Sequence, residues 1–397
     1  MANNTLQQIA TNLGVTGYDD TSLLIGIAEY YGVNPNQSKC LMFDILEAQG
    51  GDAANSVNYM EDLVVTLSGT ANSLNVIEEW ETITAGPPVY FTTTWTTTIP
   101  NETITLPYDP AGTYSGTIDW GDNSTDVNSF ANSSHTYALA GTYTVEIIGD
   151  CIGWNFGSYG SATYITSVVH WGQLELGANN AGYFNSCTNL DLSLVSDILN
   201  LQNITNLSQM FANSNTITIN NINLWDTGQV TSMSSMFNGA TNFNQALSFN
   251  TENVNDMNSM FANASSFNGI LSLSTGSVTD MGNMFYNASS FNQPLAFVTE
   301  QVVNMNAMFY GATNFNQNIG AWDVSIVNDF QDFMASKTPA TFSTANLDAI
   351  YNGWSEYDVI LGLSPVDFGT AKYSPAGIVG RARLTNVFLW NINDGGL

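Results

Sequence analysis

Three aspartates, Asp119, Asp122 and Asp126, crowd one short stretch, TIDWGDNSTD, where their oxygens could hold a calcium ion. Turn formation by Asp and Asn accounts for the same residues, and no full calcium-loop signature surrounds them. The carboxylates further along also invite a chemical reading. Asp256 and Asp280 lie 24 residues apart and Glu252 and Glu300 lie 48 apart, so each pair could mimic the two acids of a glycoside-cleaving site. Capping explains the first pair and solvation the second. His135 and His170 are the two histidines, and neither stands beside a nucleophile motif. Cys40, Cys151 and Cys187 have no C-x-x-C spacing, so they read as buried free thiols, with one pairing left open. The residue inventory therefore points away from an enzyme, with a polysaccharide-cleaving tailspike as the least favoured reading.

Charge narrows the partners. The 397 residues carry 34 acidic side chains against five basic ones, a net charge of −29, and no Lys or Arg lies between Lys39 and Lys337. Nucleic acid and anionic membrane surfaces both need clustered cations, so neither is an expected partner. No apolar run reaches the length of a membrane span, and the first residues lack the pattern of a secretory signal. Polarity comes mostly from Asn, Ser, Thr and Gln, which suit turns and strands.

The elements that would position these residues fall into segments. Residues 1–83 contain two copies of a short amphipathic stripe. Leu6, Ile9 and Leu13 in the first match Leu24, Ile27 and Tyr31 in the second, at helical spacing and closed by Gly14 and Gly32. This predicts a small α-helical module whose apolar faces dock on another protein. Residues 84–150 open on a Gly86-Pro87-Pro88 break and then alternate in Thr, Tyr and Val, which predicts a β-sandwich. Residues 151–182 would cap the start of a repeat, and residues 339–397 its end.

Between 183 and 338 the chain repeats with a period of 24 residues. The phrase Met-x-x-Met-Phe-x-x-Ala-x-x-Phe-Asn recurs with Met236-Phe237, Met260-Phe261, Met284-Phe285 and Met308-Phe309. Val230, Met233, Met236, Phe237 and Ala240 draw one apolar face, and Ser232, Asp256, Asp280, Asn304 and Asp329 sit where N-caps would. Each unit thus predicts helix, turn and strand, stacked into an α/β solenoid. Asn244, Asn268, Asn292 and Asn316 would form an internal amide ladder that satisfies turn backbone groups, and Thr227, Thr251, Thr275 and Thr299 a second column. Thr251, Glu252, Thr275 and Glu300 are the candidate ligand-binding residues, as neighbours on the connections between units.

Two resemblances accompany these patterns. Trp120-Gly121-Asp122, His135-Thr136-Tyr137 and Gly141-Thr142-Tyr143-Thr144-Val145 resemble the polycystic-kidney-disease (PKD) type of immunoglobulin-like domain, in which the His-Thr-Tyr element is structural. The Met-Phe repeats, with Trp322-Asp323-Val324 as a last echo, resemble those of BspA-like leucine-rich-repeat surface proteins. Ala345–Ile350, Asn352-Gly353-Trp354, Lys372-Tyr373-Ser374 and Trp390–Gly396 resemble the segment that closes such repeats. The resemblance implies surface recognition or adhesion without chemistry. The expectation is a bacteriophage virion surface protein (a fibre, decoration or adhesin-like component). It would dock on other virion proteins through its N-terminal module and expose the rest to a host glycan or protein. The alternative is a bacterial cell-surface adhesin. A homo-oligomer fits either, and no cofactor is implied beyond the open question of calcium.

Overall fold

A computed structural model describes residues 90–397, apart from 158–159, 178–180, 215–217 and 363–364. The expected helical docking module, with Leu6, Ile9, Leu13, Leu24, Ile27 and Tyr31, lies outside the described residues, as does Cys40.

Strand β1 (Phe91–Thr97) alternates buried Phe91 and Trp95 with Thr94 and Thr96, and it pairs antiparallel with β7 (Gly141–Ile148) in register from Phe91 opposite Ile147 to Thr97 opposite Gly141. β4 (Thr117–Asp119) and β5 (Thr125–Val127) extend that sheet on one side, and β9 (Ile165–His170) on the other, giving the order β5-β4-β7-β1-β9. β2 (Glu102–Thr105) pairs with β6 (Ser134–Tyr137), and β3 (Tyr108–Tyr114), β8 (Cys151–Trp154) and β10 (Leu174–Glu175) form a third small sheet. The sheets thus draw on strands well beyond residue 150.

Two backbones pass closely where β4 begins. Gly116 has φ +91°, and a Cβ there would stand 1.9 Å from the Ile148 carbonyl oxygen. Gly116→Ala should therefore cost at least about 1–3 kcal/mol, read as a lower urea midpoint, because neither strain nor clash can be relieved by a side chain moving.

The expected fold class is overturned. The described residues form short strands in small sheets, and their two α-helices, α1 (Thr344–Trp354) and α2 (Ile378–Asn386), both follow residue 343. No helix–turn–strand solenoid of the leucine-rich-repeat kind is formed among them. The repeat consists of turns joined by single parallel bridges, as between Ser232 and Asp256, Asp256 and Asp280, and Asp280 and Asn304. The physical reason lies between the two methionines, or between Phe330 and Phe333 in the last unit. Ser235, Ser259, Asn283, Ala307 and Asp332 all have φ between +48° and +58°, which interrupts a right-handed helix in every unit. Hydrogen bonding follows suit. The amides of Met233, Ser235, Phe237 and Gly239 donate to Asp256, Asn258, Met260 and Ala262 of the next unit, while Met236, Asn238 and Ala240 donate three residues back. The residues expected as N-caps have no helix to cap and close turns over two residues instead: Asp256 Oδ1 accepts from Asn258 N at 2.9 Å and Asp280 Oδ1 from Gly282 N at 2.8 Å.

The interior of these turns is aromatic. Phe237, Phe261, Phe285 and Phe309 stack at 5.6–5.7 Å between ring centroids, and each lies 3.9–4.0 Å from Phe243, Phe267, Phe291 or Phe315 of a parallel column. All eight are fully buried, as are Met233, Met236, Met257, Met260, Met281, Met284, Met305 and Met308. At Phe333 the ring turns to 82° and meets Phe330, Trp354 and Phe368, so the column stops. Ser343 caps α1 by accepting from Asn346 N, and α1 turns Leu347, Ile350, Tyr351 and Trp354 inward. β11 (Val366–Asp367) and β12 (Ile392–Asn393) pair in parallel beside it. Residues 90–397 form one compact unit with a continuous core from Phe91 to Trp390.

Candidate recognition surfaces

The acidic turn between β4 and β5 is internally satisfied. Asp119 Oδ1 accepts from Gly121 N at 2.9 Å, and Asp126 Oδ2 accepts from the Trp120 indole at 2.9 Å. Asp122 Oδ1 accepts from the amide and hydroxyl of Ser124, and its Oδ2 lies 2.9 Å from His135 Nε2. His135 in turn stacks on buried Trp120, centroids 4.9 Å apart, and Tyr137 donates to the Trp120 carbonyl. Each carboxylate is thus aimed at a different protein donor, and among the described residues no three His, Cys, Asp or Glu side chains converge on a metal position.

Partial burial pushes the Asp122 carboxyl up, but Ser124 and His135 outweigh it and hold the group below its usual range. A carboxyl depressed in the folded state contributes stability that is present above its unfolded value near 3.9 and is lost as pH falls through the folded value. Asp122→Asn should therefore melt lower than the parent at pH 6, and the gap should close in thermal melts as pH is lowered through the depressed folded value.

The candidate ligand residues of the repeat divide by exposure. Thr251 and Thr275 are buried, and their hydroxyls donate to the Ser274 and Val298 carbonyls of the following unit at 2.7 and 2.9 Å; Thr227 and Thr299 do the same. Glu252 and Glu300, each one residue beyond a threonine of that column, are exposed. The Asn column is not internal as expected, with Asn244 and Asn292 exposed and Asn268 and Asn316 half-buried, and it is bonded along the stack. Asn268, Asn292 and Asn316 each donate a main-chain N–H to the side-chain oxygen of the Asn one unit earlier, at 2.7–2.9 Å. Asn346 of α1 donates its side-chain amide to Asn316, continuing the rung into the C-terminal segment.

A cleft of about 520 Å³ escapes any local sequence signal, because it joins residues from separate segments: Thr96, Thr98, Glu102, Tyr164, Thr166 and Asn189. The antiparallel pairing of β1 with β9 brings them together. Glu102 accepts from the Thr98 and Ile99 amides and from the Tyr164 hydroxyl, and the Thr98 amide above all holds its carboxyl below the usual range. The cleft is lined by hydroxyls, one amide, one carboxylate and one aromatic ring. Cys151 and Cys187 are buried and unpaired, and burial pushes both thiols up, away from reactive thiolates. No helix among the described residues is long and apolar enough to cross a membrane.

A family model described as Mycoplasma protein of unknown function, DUF285, matches residues 179–295 and 268–349, which is the repeat and the start of the C-terminal segment. The repeat is thus similar to that family. No curated protein matches the chain. No solved structure matches it either.

Proposed function

We propose that this chain is a non-enzymatic surface-recognition protein of a bacteriophage virion, docked by its N-terminal segment and exposing a PKD-like strand region and the repeat to a host glycan or protein. The observation that carries the reading is the outward Asn column, in which each carboxamide oxygen is spent on the neighbouring unit while the side-chain N–H groups of Asn268 and Asn292 remain for solvent or a ligand. Repetition presents the same shallow group several times, and many copies on one particle would multiply weak contacts. Asp256 and Asp280 support a binding role over a hydrolytic one, since their carboxylates cap turns and bond Ser232, Asn258 and Asn304.

The docking half rests on the paired apolar stripes at Leu6, Ile9, Leu13 and Leu24, Ile27, Tyr31. Mass spectrometry of purified particles should find the full chain, and a variant lacking residues 1–80 should be missing from them. Recovery of the chain from host envelopes and never from particles would favour the second reading, a bacterial cell-surface adhesin. That reading draws its support from the similarity of the repeat to mycoplasma proteins.

A further inference from the structure

We propose that the outer face of Tyr310, backed by Tyr286, is a platform for an uncharged pyranose ring. This rests on the recognition reading above and gives it a place and a ligand class. The residue after the repeated Phe varies from unit to unit: Asn238, Ala262, Tyr286, Tyr310 and Met334. The phenylalanines beside them are fully buried, whereas Tyr286 is half-buried and Tyr310 is 36% exposed. The two tyrosine rings stack with centroids 5.1 Å apart and planes within 9°, so one face of Tyr310 is held by Tyr286. No further ring stacks on Tyr310 among the described residues, and its successor in the column, Met334, is turned fully into the core. The column of rings therefore ends at Tyr310 with a face to offer.

The platform is rigid before a ligand arrives. The carbonyls of Tyr286 and Tyr310 accept from Asn263 N and Asn287 N at 2.6 and 2.7 Å, and the rings brace each other, so little conformational freedom remains to be lost. A polar column runs one unit behind it. Asn287 is exposed, its side-chain N–H donates to Asn263 Oδ1 at 3.1 Å, and Asn263 passes the chain to Asn238. Gly311 lets its backbone pass close to the Asn287 carboxamide: a Cβ at this φ of +71° would stand 2.0 Å from the oxygen. An aromatic face backed by a column of carboxamides suits the C–H face and the hydroxyl-bearing edge of a sugar. Charge selects among sugars. With no Lys or Arg from Cys40 to Ser336 and a net charge of −29, sulfated, phosphorylated and acidic glycans have no counter-charge here and meet repulsion instead.

The full chain can be run in native gels cast with soluble xyloglucan, galactomannan or dextran, and with alginate as an anionic comparison. At least one neutral polysaccharide should retard it and alginate should not. Tyr310→Ala should weaken that retardation at least tenfold at an unchanged melting temperature, Asn287→Gly should weaken it by a smaller factor, and Tyr310→Phe should retain it. Retardation by none of the three neutral polymers would overturn the proposal. So would a folded Tyr310→Ala retarded like the parent, or, should that variant not fold, an Asn287→Gly retarded like the parent. If retardation persists in these variants, glycan recognition stands and only its location is wrong. Absence from particles and failure to adsorb to any host surface would instead sink the broader reading.

Discussion

Phe261→Ala should destabilise the protein by roughly 3–5 kcal/mol, seen as a fall in the urea midpoint with little change in slope. The ring touches Phe237 and Phe285 at 5.7 Å on its two faces and Phe267 at 4.0 Å within its own unit, and none of it reaches solvent. Its removal opens a cavity in the middle of two parallel columns, where neighbours are held by inter-unit hydrogen bonds and cannot collapse inward. Phe261→Leu should recover more than half of the loss. A change below about 1 kcal/mol for the Ala variant would mean that the turns, and not the rings, hold the stack together.

Lys337→Met should remove the rise in stability that a buried lysine adds between pH 7 and 10, over and above the opposite contribution of the buried Cys151 and Cys187 thiols. Lys337 is 1% exposed, its Nζ donates to the carbonyls of Ala312, Thr313 and Phe315, and Phe315 and Phe342 flank it. No carboxylate pairs with it among the ion pairs of the described residues. Burial pushes its amine down to about 7. A free lysine titrates near 10.4, so between those values the unfolded chain holds a proton that the folded chain has shed. Stability from this group is complete above about pH 10 and is lost as pH falls towards 7, with a slope of at most about 1.4 kcal/mol per pH unit. At pH 10, where the folded amine is neutral and has two N–H groups to donate, the Met variant should be weaker than the parent by roughly 1–3 kcal/mol, because it leaves the carbonyls that amine serves without a donor. Near pH 7 the gap should narrow or reverse. Parallel urea midpoints for parent and variant from pH 7 to 10 would contradict this account.

These two residues also mark what a sequence can and cannot declare. Phe261 is legible: a 24-residue period that keeps Met and Phe in fixed places predicts columns, and the columns are there in the burial of both residue types. The Asn and Thr ladders arise from the same period. The helix did not. Met-x-x-Met has the spacing of one helical turn, but the same spacing arises when a right-handed turn is closed by a left-handed residue. Ser235 and Ala307 carry no side-chain mark that announces positive φ. Partners in the next unit then replace partners four residues back, and a short amphipathic stretch becomes a rung. Lys337 was visible only as the end of a basic-free interval; its burial depends on carbonyls that the last unit leaves without a successor. The Tyr164 and Glu102 cleft was invisible because two strands paired far apart in sequence create it. Tyr310 was a departure from consensus within the repeat, which is where a signal for a specific site could have been sought.

The bridges from Ser232 through Asp256 and Asp280 to Asn304 have a consequence for how such a chain can change. Every rung is bonded to rungs like itself, so a unit gained or lost by slippage between near-identical stretches would find the same partners on either side. Nothing inside the ladder counts its own rungs. The stack is closed by a pair of unlike ends, Trp154 and Phe184 at one and Lys337 with Trp354 at the other, so the number of units between them can change by duplication without any interface having to be invented anew.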